Sequence, residues 1–120
     1  MAFIADTVFD NGLTTLDTNG TRLDICSTEP TTYAEATSTL TLGNTSVNTG
    51  APENGAVDGR RVIVPAISSG AVTGTGTVAF WALTNGSTTL YATGALSASQ
   101  SVTNGNTFSL DAISITLRDV

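Results

Sequence analysis

The sequence predicts an all-β domain: an antiparallel β-sandwich or jelly-roll-like barrel with one short N-terminal helix. Three observations carry this expectation. Apolar runs over residues 72–83, 90–96 and 108–117 follow one another as strands. Asn85-Gly86 separates the first two and Asn104-Gly105 precedes the third, and Asn-Gly is the strongest short hairpin signal. Finally, only 12% of residues are charged, with Thr, Ser, Asn and Gly filling the surface. At 120 residues the chain is expected as one domain, a helical segment or arm over 1–20 and a β core over 21–120.

Taken in order, residues 5–17 are the one stretch expected to form a helix. Ile4, Val8, Leu13 and Leu16 fall on one face, with Asp6 and Asp10 opposite, and Asn19-Gly20 supplies the stop. Residues 21–27 follow as a short strand, Leu23 and Ile25 on one face and Arg22, Asp24 and Cys26 on the other. Pro30 breaks it. Residues 31–37 are expected as loop, 39–47 as a strand with Leu40 and Leu42 inward, and 48–59 as loop. Residues 61–67 form a strand in which Pro65 marks an edge position or a bulge.

In the run 72–83, Val78, Phe80 and Ala82 occupy one face and Ala79, Trp81 and Leu83 the other, so both faces need cover from a second sheet, a loop layer or a neighbouring subunit. Trp81 is expected in the core or in a subunit contact. In the run 108–117, Phe108, Leu110 and Ala112 alternate in one phase, and Ile113, Ile115 and Leu117 in the other. A bulge or strong bend at 111–113 accounts for the change of phase, as does a strand buried on both faces at its middle.

Composition excludes several chemistries. Four arginines face ten acids, for a net charge of −6. That balance lacks the basic footprint of a nucleic-acid binder or of a protein held on anionic lipid. With no histidine or lysine, neither a Ser-His-Asp triad, a His-based metal centre nor a Schiff base can be built. Cys26 stands alone, so no intrachain disulfide or cysteine zinc site forms, and it is expected as a small buried hydrophobe. No apolar run reaches membrane-span length, and the first residues lack the pattern of a signal peptide, so synthesis in the cytosol is expected. Asp6 and Asp10 lie one helical turn apart but offer only two of the ligands Ca²⁺ needs. Gly74-Thr75-Gly76-Thr77-Val78-Ala79 fits a dinucleotide-loop pattern, but a β-type run follows where that mechanism needs a helix. Arg60-Arg61, half of the chain's cations, are either a paired anchor for an acidic partner or exposed arginines at a strand start.

Four stretches, IADTVFDNGL (4–13), LDICSTEPTTY (23–33), GRRV (59–62) and YATGALSASQSVTNGNTF (91–108), together resemble a family of small proteins of tailed phages and prophages. The resemblance implies a virion structural component on the capsid surface, a decoration or cement protein, without catalytic residues or cofactors. Its implied partner is the major capsid protein. The low charge and the doubly apolar strand add an expectation of a homotrimer or another homo-oligomer. The alternative is a tail-fibre or collar module binding a receptor or glycan. Candidate partner-binding residues are Phe3, Ile4 and Val8, in a segment that serves either as an attaching arm or as a helix packed on the sandwich, and Arg60 and Arg61.

Overall fold

The computed structural model describes residues 6–55 and 59–117. Helix α1 (Asp6–Asn19) leads into β1 (Arg22–Cys26), a π-helical turn (Glu35–Thr39) and β2 (Thr41–Ser46). Strands β3 (Glu53–Asn54), β4 (Arg60–Val64), β5 (Ile67–Val72), β6 (Gly76–Thr84), β7 (Leu90–Val102), β8 (Thr107–Leu110) and β9 (Ile113–Leu117) follow. All strand pairs are antiparallel. They form a six-stranded sheet, β7-β6-β1-β2-β5-β8, and a three-stranded sheet, β3-β4-β9. The main core joins Leu23, Ile25, Trp81, Leu83 and Phe108 of the larger sheet to Val64 of the smaller, with Ile113 and Ile115 packed against it. This is the sandwich, with its short N-terminal helix, that the sequence predicts.

One ribbon connects the two sheets. β5 pairs with β8 in the larger sheet, and β4 pairs with β9 in the smaller. Both strands cross together, one at Pro65-Ala66 and the other at Asp111-Ala112. Val64 faces Ile113 before the corner and Ile67 faces Leu110 after it, so the register does not slip there. The phase change at 111–113 is thus a strand passing between sheets, a bend and not a bulge. The bulge lies on the partner strand, between Ile67 and Gly70. Pro65 sits at the corner because it has no N–H to give a ladder. The expected strand 61–67 therefore ends at Val64, and Ile67 opens the next.

Other expectations shift for identifiable reasons. The run 72–83 is two strands, interrupted where the N–H groups of Thr73 and Gly74 donate to the Leu42 carbonyl. Val78 packs with Trp81 and Leu83 and not with Phe80, because the β6–β7 register shifts between Val78 and Phe80. β7 runs on to Val102 because Gln100, Ser101 and Val102 pair with Val78, Thr77 and Gly76 at the start of β6. The Asn85-Gly86 hairpin closes through a wider loop, in which only Gly86 takes a positive φ, 77°. The Asn85 carboxamide oxygen accepts the N–H groups of Ser87, Thr88 and Thr89 at 3.0, 2.8 and 2.9 Å.

In α1, Phe9 and Leu13 are buried and Leu16 packs on the core, whereas Val8 is 61% exposed. The buried face is thus set by the i, i+4, i+7 series from Phe9, one residue away from the expected one. Phe3 and Ile4 lie outside the described residues. Residues 31–37, expected as loop, hold a helical turn. The Glu35 N–H donates to Thr32 Oγ1 at 3.1 Å, and the Glu35 carboxylate accepts from the Thr31 N–H at 2.8 Å, a variant of the capping box. Leu40 precedes β2 and belongs to the cover this segment makes, whereas Leu42 packs on the main core as expected. Residues 48–59, expected as loop, include the two-residue strand β3.

Candidate functional site

Strand β1 lies between β2 and β6 and presents Arg22, Asp24 and Cys26 on its outer face. That face is not free. Cys26, Ala36 and Ala82 form a second buried cluster, with Leu40, Phe80 and Leu90 around it. The helical turn is thus a layer over the outer face of the sheet, one of the covers expected for the doubly apolar strand.

Asp24 is fully buried under this layer. Its carboxylate accepts Arg22 Nε at 2.8 Å, Arg22 Nη2 at 3.1 Å and Thr41 Oγ1 at 2.8 Å. The hydrogen bond to Asp24 raises the Arg22 pKa above its ordinary value, against the opposing effect of burial. A fully buried carboxylate held by three hydrogen bonds is a structural clasp, closed to solvent. Arg22 and Asp24 share a face in the strand pattern, whereas Thr41, the third partner, comes from the neighbouring strand β2.

Cys26 is fully buried, its Sγ 3.6 Å from the Ala36 carbonyl. Burial, with the nearby Asp24 charge adding to it, pushes the thiol up to about 12. A thiol held neutral in this way is not a nucleophile at neutral pH.

The two sequence-adjacent arginines do different work. Arg60 Nε donates to Asp10 Oδ1 at 2.8 Å, and Arg60 Nη1 donates to Asn54 Oδ1 at 2.7 Å, which ties α1 to the smaller sheet. Asp10, one of the two helical carboxylates singled out in the sequence, is therefore an ion-pair partner. Arg61 Nε lies 3.4 Å from Glu53 Oε1, a coulombic contact without hydrogen-bond geometry. Among the described residues no group of three or more His, Cys, Asp or Glu could hold a metal ion. No helix among them is long and apolar enough to cross a membrane.

An open groove of about 410 Å³ lies where the ribbon turns its corner. Trp81, Gly94 and Leu96 line one side, and Leu110, Asp111 and Ile113 the other. Trp81 is 8% exposed and belongs to the main core. Gly94 is required beside it, since a Cβ there would come within 2.7 Å of the indole. The sequence offers no local signal for this groove, because its walls come from strands brought together only by the corner. No protein-family model, curated protein or solved structure matches the chain.

Proposed function

We propose that this chain is a non-enzymatic structural protein of a tailed-phage particle, binding the exterior of the assembled capsid and stabilising it. The observation that supports this most is the use to which the reactive groups are put. Asp24 is buried and held by Arg22 and Thr41, the Cys26 thiol is buried and neutral, and Arg60 ties a helix to a sheet. What the chain presents to a partner is a surface poor in charge and rich in hydroxyl and amide groups. The resemblance of residues 4–13, 23–33, 59–62 and 91–108 to small phage virion proteins supplies the capsid as partner. A protein that binds only the assembled lattice stabilises it by mass action, without chemistry.

The N-terminal segment is the leading attachment element in this reading. Val8 projects from α1 with 61% of its surface exposed, and Phe3 and Ile4 precede it in the chain. Arg61 is the second contact, beside Arg60. A tail-fibre or collar module binding a glycan would be served by an exposed aromatic platform, and Trp81 is only 8% exposed.

The test uses particles assembled without this protein. The full chain is expected to bind them at many copies per head and to raise their disruption temperature. Val8→Asp is expected to bind less while melting like the parent. Intact protein found only at the tail of the virion would overturn the reading.

A further inference from the structure

We infer that the free edge of β9 is a docking surface for β9 of a second copy of this chain, joining the two smaller sheets into one across a two-fold axis. Among the described residues the two sheets have four edges, and three of them are guarded. β3 is two residues long and carries Glu53. The register of β7 is broken twice along its length. β8 is met by Gln100, whose Nε2 donates to the Ser109 carbonyl at 3.2 Å. Short length, charge, irregular register and cover are the means by which proteins keep strand edges from pairing. Among the described residues β9 has none of them. Its five residues pair with β4 without a register shift, and among the described residues no strand lies on its other side. Its sequence, Ile113-Ser114-Ile115-Thr116-Leu117, has high strand propensity and no charge.

The edge is also self-complementary. An antiparallel pair centred on Ile115 sets Ile113 against the second copy's Leu117, Ile115 against its own equivalent, and Ser114 against Thr116. Apolar groups then meet apolar groups on one face, and hydroxyls meet hydroxyls on the other. Copies that each carry a charge of −6 repel, so they approach most easily through an uncharged stretch such as this one.

Leu117 is what makes the register specific. It and Val8 are the large apolar side chains left exposed among the described residues. Leu117 lies over Gly12, where a Cβ would be 3.7 Å from its Cδ1, one helical turn from Val8. Pairing about Ile115 carries Leu117 of one copy to Ile113 of the other, and Ile113 borders the groove beside Trp81 and Leu96. A five-residue ladder alone falls short of the roughly 1,000 Å² of a stable interface. Two leucines entering two grooves add the apolar area that it lacks. The product is a dimer and not the homotrimer, and it does not depend on the capsid reading.

The test is the solution mass of the full chain over a concentration series, with folding checked by circular dichroism and melting. The parent is expected at twice the 12.2 kDa chain mass. In S114K/T116K each introduced lysine faces another across the axis, which is expected to weaken the dimer at least about tenfold. In S114K/T116E each lysine faces a glutamate of the second copy, and dimerisation is expected to return. A monomeric or trimeric parent, or a dimer that S114K/T116K leaves intact, would overturn the inference. So would failure of S114K/T116E, once shown to be folded, to dimerise better than S114K/T116K.

Discussion

Burial of the Cys26 thiol gives the chain a defined alkaline limit. Well below pH 9 the thiol is protonated in both folded and unfolded chains and contributes no pH dependence. Above it, the unfolded chain ionises first, while the folded thiol stays neutral until about 12, so stability falls as pH rises through that window. Urea unfolding at about pH 8 and about pH 10.5 should show this loss, and Cys26→Ala should reduce it. Native protein should also resist thiol reagents that label it at once in urea. Trp81→Ala should cost about 3–5 kcal/mol, since the indole sits in the main core and Gly94 has no side chain to fill the space. Asp24→Ala leaves the Arg22 guanidinium without its buried partner. The expected loss is about 2–3 kcal/mol by chemical denaturation, moderated because Arg22 keeps 30% exposure.

Among the elements, the β6–β7 hairpin depends on one side chain. The Asn85 carboxamide oxygen satisfies three loop N–H groups, so Asn85→Ala should destabilise the protein by about 1–2 kcal/mol, as loss of a good helix cap does. Denaturant midpoints for the two proteins measure it. This loop was legible as a turn, because Asn-Gly is a local signal, but its width was not. The alternation of Leu23 and Ile25 was equally legible, since period 2 is written into four neighbouring residues. The helical turn at 35–39 was legible in principle through Thr32 and Glu35, although Pro30 and the run of threonines favoured a loop reading. The burial of Asp24 and the groove beside Trp81 were not legible. Each depends on strands distant in sequence, Thr41 closing over the carboxylate and Ile113 arriving beside the indole. The corner at Pro65 and Asp111 stands between these cases. Proline and the change of phase were both visible, but that they mark one event requires knowing that β4–β5 pairs with β8–β9.

For the whole molecule, a main core drawing on both sheets predicts a single cooperative unfolding transition, with calorimetric and van't Hoff enthalpies in agreement. Two resolved transitions would mean that the sheets come apart separately. The Arg60–Asp10 pair reaches from the smaller sheet to α1, and α1 enters the larger sheet through β1, so the helix belongs to the same unit. The ribbon also sets an order of events in folding. β6 and β7 are neighbours in the chain and can zip as soon as the Asn85 loop forms, whereas Arg60 waits for Leu117 and Val72 for Asn106. Closing so large a loop carries an entropy penalty that local contacts must already have offset. The smaller sheet should therefore be absent from the rate-limiting step and should form after it. Truncating Val64 to Ala should then speed unfolding and leave refolding nearly unchanged. Until the ribbon shuts, the β4 and β9 edges are both bare, and the time that a folding chain spends in that state, more than its final stability, sets how readily it joins the wrong neighbour.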